Sequence, residues 1–248
     1  MVNCMNNKKG FTLIEILVAT AVSMIMLIAI GMAIESAQRS TGGIERKVTA
    51  QQDVRSALQL MAMEIRMASY NPSLAVNADI WRNTNCSFPA ANPTYRGIQG
   101  ATENSITVEM DIAGDPSGDG NGSLTEPNEI ISYNYVMAGA ERYITRETNC
   151  GGAQPFLGDA VASGNPRTVK VNNTDVGIPI FRYFDGSMVQ LLFTGPPTGP
   201  DQRVCMPGCT PDVRIIEITL AVETDEINPD TGLTRKMIYS TRETLRNN

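Results

Sequence analysis

The stretch Lys8-Lys9-Gly10-Phe11-Thr12-Leu13-Ile14-Glu15, followed by Ile16 to Ile34 without one charged residue, decides how the chain is read. Phe11 to Ile34 is a run of 24 residues whose only charge is Glu15. As a helix such a run is about 36 Å long, more than the ~30 Å hydrocarbon core of a bilayer. Lys8 and Lys9 stand in front of it and predict a cytoplasmic N-terminus, with the remainder exported. A cleaved secretory signal has a shorter apolar region, about 7–15 residues, with a small-residue cleavage site behind it. A lipoprotein signal needs its cysteine after the apolar run, whereas Cys4 lies before it.

Outward from this run the pattern becomes one-sided. Ile44, Val48, Val54, Leu58, Met61 and Ile65 recur mostly at three- and four-residue steps, which predicts an amphipathic helix with one buried stripe. Gly42 and Gly43 predict a bend or a melted turn between the halves. The helix is expected to end near Asn71-Pro72, because proline disfavours a helical residue before it. Arg55, Glu64 and Arg66 read as solvated or locally paired charges, and Met61, Met63 and Met67 as flexible core filler.

Residues 73–248 read as strands and turns. Alternating segments are expected at 106–112, 130–136, 141–146, 168–171, 178–184, 188–193, 214–222 and 235–241, with Gly, Pro and Asn between them. The fold class that follows is α+β: a long N-terminal helix whose second half packs on an antiparallel sheet. The expected division is 1–10 leader, 11–34 transmembrane helix, 35–72 amphipathic helix and 73–248 head.

Composition narrows the function. The chain has 248 residues, 42% hydrophobic and 19% charged, with a net charge of −6. That is enough apolar content for a packed core. The acidity argues against a nucleic-acid surface, which needs clustered positive charge. The absence of histidine removes Ser-His-Asp and Cys-His catalysis and histidine metal sites. No converging catalytic set is evident, so the chain reads as a binding protein and not an enzyme.

The segment Lys8 to Glu15, with the unbroken apolar helix behind it, resembles the prepilin peptidase site of type IV pilins, pseudopilins and their relatives. The resemblance implies cleavage between Gly10 and Phe11, N-methylation of Phe11, and residence in the inner membrane before assembly into a filament. It gives Glu15 a partner, the α-amino group of Phe11 on its own or a neighbouring subunit. A charge kept inside a membrane span needs such a partner. Gln51-Gln52-Asp53-Val54-Arg55, Leu60 to Ala68 and Tyr70-Asn71-Pro72 look like the PilW/PulJ branch of minor pilins. The implied role is initiating, priming or capping pilus assembly. The implied partners are prepilin peptidase, the inner-membrane assembly platform, other minor pilins and the major pilin. A minor pseudopilin of type II secretion and a tip adhesin with a calcium-binding loop are the alternatives.

Two further features lie in the head. Removing the leader takes Cys4 and leaves Cys86, Cys150, Cys205 and Cys209, an even number in an exported chain. That reads as two disulfides, for which sequence allows three pairings. The short loop Cys205-Met206-Pro207-Gly208-Cys209 favours Cys205–Cys209 with Cys86–Cys150; a four-cysteine zinc site is the alternative and lacks paired CxxC spacing. The segment 115–126 nearly fits a calcium loop, with Asp115, Ser117, Asp119, Asn121, Ser123 and Glu126 as candidate Ca2+ ligands and Gly120 at the turn. A solvated Gly/Asp hairpin loop fits the same composition.

Overall fold

A computed structural model describes residues 10–72, 78–81, 96–112, 120–139, 141–159, 169–193, 197, 199, 201–205, 210–227 and 234–246. One helix, α1 (Leu13–Arg66), runs for 54 residues. It continues without interruption through Gly42 and Gly43, so the expected melted turn is not there. Each glycine costs about 1 kcal/mol relative to alanine. Helix already formed on both sides needs no new nucleation, and propagation carries through. The chain divides into two compact units between Lys47 and Val48.

In the first unit the helix is bare. Every large apolar side chain from Phe11 to Ile34 is exposed, from 47% at Val22 to 85% at Phe11. In the second unit the buried stripe begins at Ala50 and continues through Val54, Ala57, Leu58, Met61, Ala62 and Ile65. The expected stripe began earlier, but Ile44 and Val48 are 61% and 45% exposed. Periodicity marks a face; it does not say what covers it. The alanines in the stripe are the residues the apolar reading overlooked, and they let the helix lie close to the sheets. Met61 is fully buried, while Met63 is exposed and Met67 half-buried.

The α-helix closes at Arg66, before the proline, through a tight turn over 67–69. Ser69 adopts a left-handed φ of 65°. Its amide donates to Glu109 O at 3.0 Å and its hydroxyl to Arg96 O at 2.8 Å, which satisfies groups at the helix exit. Gly97 has to be glycine here. Its φ is +68°, and a Cβ would stand 2.1 Å from Ser69 N.

Among the described residues the second unit holds two sheets, where one was expected. The first is a five-stranded meander in the order β1 (Ile98–Ala101), β2 (Ser105–Glu109), β3 (Ile130–Ala138), β4 (Glu141–Thr148), β5 (Gln154–Asp159). The second contains β6 (Val169–Val171), β7 (Phe181–Phe184), β8 (Gln190–Leu192), β9 (Gln202–Val204), β10 (Ile215–Ile227) and β11 (Thr234–Thr244). Its order is β11-β10-β7-β8-β9, with β6 also paired to β10. Among the described residues the pairs are antiparallel, with β8 and β9 the parallel exception.

One core joins α1 from Ala50 onward to both sheets, with Ile106, Ile131, Tyr133, Phe181, Ile216 and Leu220 among its members. Burying a side chain of this size stabilises by about 1.5–3 kcal/mol. β7 and β6 pair with different ends of β10, at 215–218 and 222–224. Asn173 fills the gap between them. Its Nδ2 donates to Thr219 O at 2.8 Å and its Oδ1 accepts from Ala221 N at 2.9 Å, so a side-chain amide completes the ladder as a peptide group would.

Candidate assembly site

The N-terminal end is ordered by a short local motif. Thr12 N donates to Glu15 Oε2 at 2.9 Å, and Glu15 N donates to Thr12 Oγ1 at 3.3 Å. This is a capping box, in which two orphan amides of the first turn are satisfied reciprocally. Its signal, Thr-x-x-Glu, is embedded in the stronger motif around it. Glu15 thus caps its own helix while the Gly10–Phe11 peptide is intact. Gly10 and Phe11 precede the helix and are exposed, and a Cβ added at Gly10 would meet nothing within 4 Å.

Behind the cap, α1 has an 18-residue window of mean hydropathy 2.6, none of which is buried within the chain. Such a surface needs lipid or other apolar helices around it. Farther along, Glu35 and Arg39 form an exposed i, i+4 ion pair, which marks the return to a wet surface.

The helix is fastened to the head by charges expected to be solvated or locally paired. Glu64 is 7% exposed. It accepts from the Tyr133 hydroxyl on β3, and its Oε1 accepts from Arg146 Nη2 on β4 at 2.6 Å. Arg146 also reaches Asn128 Oδ1 at 3.1 Å. Burial and the neighbouring Glu64 hold the Tyr133 hydroxyl well above the usual tyrosine range. Two residues on, Arg66 Nε donates to Glu243 Oε2 on β11 at 2.9 Å, and Arg55 lies 5.8 Å above the Tyr239 ring. These partners are far away in sequence, so spacing along the helix could not reveal them.

Three buried carboxylates lie beside the helix exit. Glu109 is 2% exposed and accepts from Gln99 Nε2 at 3.0 Å; burial pushes its carboxyl up to about 8. Asp111 and Glu129 are fully buried and accept backbone amides of the 112–126 region. Of the candidate calcium ligands, Asn121, Ser123 and Glu126 are described, and they bond to one another. Asn121 Nδ2 donates to Glu126 Oε1 at 3.0 Å, and Ser123 N donates to Asn121 Oδ1 at 2.8 Å. The Thr125 hydroxyl bonds to the Glu126 carboxyl and holds it below the usual range. Asp115, Ser117 and Asp119 lie outside the described residues. Among the described residues no group of three or more His, Cys, Asp or Glu could hold a metal ion. Cys150 and Cys205 are each disulfide-bonded. Cys86 and Cys209 lie outside the described residues.

The family model for the prokaryotic N-terminal methylation motif matches residues 5–31. No curated protein and no solved structure matches the chain. The matched motif, leading directly into one long apolar helix, supports a type IV pilin or pseudopilin, a structural protein rather than an enzyme. The fold is pilin-like α+β, with α1 packed on antiparallel sheets. The motif implies processing by prepilin peptidase, membrane anchoring before assembly, and assembly with other pilins.

Proposed function

We propose that this chain is a minor type IV pilin that primes or caps pilus assembly. It enters the inner membrane in a single pass with its N-terminus in the cytoplasm, is cut between Gly10 and Phe11, and is methylated on Phe11. It then leaves lipid for a filament, where its helix packs against those of other minor pilins and the major pilin. Glu15 exchanges its capping bond for the new α-amino group of Phe11. The observation that carries this reading is the bare apolar helix directly behind an accessible Gly10–Phe11 bond. Lipid and neighbouring helices are the two surroundings in which that surface is stable.

The PilW/PulJ-like segment from Gln51 to Pro72 favours the minor-pilin branch. In the head, the proposed bonds are Cys86–Cys150 and Cys205–Cys209, which together lower the unreduced mass by about 4 Da. The acidic loop is proposed as a Ca2+ site on its spacing, and titration calorimetry of the full chain with no heat at millimolar calcium removes that part. The test of the whole reading is N-terminal sequencing of the mature protein. An N-methyl-Phe11 terminus is expected. An intact Met1, or a terminus beyond Ile34, overturns it.

A further inference from the structure

We propose that β11 is a docking edge: it accepts an extended, acidic segment of another polypeptide as an added strand. The surface lies wholly in the second unit and owes nothing to the N-terminal apolar helix. β11 runs for 11 residues, Thr234–Thr244, about twice the length of an ordinary strand. It ends its sheet, with β10 as its ladder partner on one side and none on the other among the described residues. From Lys236 to Thr244 its register with β10 is unbroken, and it contains no proline. Long edges are ordinarily blunted by bulges, prolines or shortness, because their free amides and carbonyls invite another strand.

The side chains of this strand select the partner. Met237, Tyr239 and Glu243 face the core side, where Gln51 Nε2 donates to Met237 Sδ at 3.7 Å, Arg55 lies over Tyr239 and Arg66 pairs with Glu243. Lys236, Ile238, Ser240 and Arg242 alternate with them and are all exposed. Ile238, in the middle of the strand, is 57% exposed. Such a row fits a neighbouring strand with an apolar residue at its centre and acids on either side. The described charges on this outer face are Lys170, Arg182, Lys236 and Arg242 against Glu217 and Glu223. Glu217 accepts from Arg182 Nη1 at 3.3 Å and from Arg242 Nε at 2.5 Å, so one carboxylate serves two guanidinium groups. Glu223 stands opposite Lys236 in register, yet it accepts from Asn172 Nδ2 and the Thr234 hydroxyl. Lys236 forms no ion pair among the described residues. Four cations against two carboxylates leave this face positive on a chain whose net charge is −6. A second copy of β11 does not fit: with outer faces on the same side, two sets of Lys236 and Arg242 would repel. An acidic strand instead meets the free cation, covers Ile238 and completes the open ladder. Main-chain bonds then give affinity, and alternate side chains give selectivity.

The experiment uses the full-length chain in detergent micelles and a dye-labelled peptide, Glu-Thr-Val-Thr-Val-Thr-Glu, whose sequence reads the same in both directions. Its alternation puts the acids and valines on one face, to match Lys236, Ile238 and Arg242. The control is the same peptide with lysine at both ends. Fluorescence anisotropy should show the acidic peptide binding at least about tenfold more tightly than the control. Hydrogen exchange over 235–244 should slow at least about tenfold when the acidic peptide saturates. Ile238→Glu should weaken binding at least about fivefold, since it sets a like charge against the peptide's acids and removes the apolar centre. Should that variant fail to fold, Lys236→Glu, on an exposed side chain, is expected to weaken binding similarly. No binding of the acidic peptide, equal binding of the control, undiminished binding by the folded variant, or binding without slowed exchange in β11 each overturns the proposal.

Discussion

The two parts of α1 share one secondary structure and differ in everything that surrounds it. Between Phe11 and Ile34 large apolar residues occupy all sides and none is covered by the chain. Between Ala50 and Ile65 apolar residues occupy one face, and that face is sealed against two sheets. The contrast shows that helix formation here is a matter of backbone hydrogen bonds and propensity, whereas stability is assigned by the surroundings. The first part is stabilised from outside the molecule, by lipid or other helices. The second is stabilised from within, by its own head.

Five substitutions break or sharpen that contrast. The largest effect is expected from Glu15→Ala, which leaves membrane insertion intact but abolishes incorporation into filaments; fractionation of membranes and sheared filaments measures both. Normal recruitment of the variant would remove the proposed pairing with Phe11. Next comes Glu64→Ala, in the sealed part. It takes the carboxylate from Arg146, which keeps only Asn128 Oδ1 among its named acceptors, and leaves the Tyr133 hydroxyl without its acceptor. The expected loss is about 3–5 kcal/mol, read from denaturant unfolding of the full chain. A change below about 1 kcal/mol would mean that water replaces the carboxylate freely.

Met61→Ala and Ile44→Ala form a matched pair on the same helix. Met61 is fully buried, and its truncation should cost about 2–5 kcal/mol. Ile44 is 61% exposed, and its truncation should stay within about 0.5 kcal/mol. Equal costs would show that the sealed region extends farther toward the N-terminus than Ala50.

Smaller than the Met61 truncation is the pH response of Glu109, whose carboxyl rises from an ordinary 4.5 to about 8 on burial. Below about 4.5 both folded and unfolded states are protonated at this group. Between 4.5 and 8 the unfolded chain releases the proton while the folded one keeps it, so stability falls as pH rises. Above about 8 the group is ionised in both states and the loss is complete. Solvent penetration and relaxation reduce the change to on the order of 1–3 kcal/mol. Glu109→Gln should flatten this part of the stability profile, measured by thermal unfolding across the window. A wild-type profile without the fall would mean that Glu109 ionises in the folded head.

The strands illustrate how far pattern alone reaches. β3, β4, β10 and β11 were legible because each is long and rich in β-branched or aromatic residues. β1, β5 and β9 were missed. Ile98–Ala101 contains a glycine, Gln154–Asp159 contains a proline and a glycine, and Gln202–Val204 is three residues long. Such segments gain their strand character from a neighbour's ladder and not from propensity. The same holds for Asn173, whose amide is buried because a gap in β10 needs a peptide-like partner.

What the sequence by itself determined is local and additive: the processing motif, the membrane-length run, the helix cap written in Thr12 and Glu15, and the α+β class. Hydropathy and nearest-neighbour hydrogen bonding are properties of short stretches, so they can be read without coordinates. What only the tertiary structure decided is the point at which the stripe becomes covered, the burial of Glu64 and Glu109, and the division into two sheets with one parallel pair. Each of these depends on groups brought together from distant parts of the chain, and the free energy of such contacts appears only when packing removes water from both partners at once.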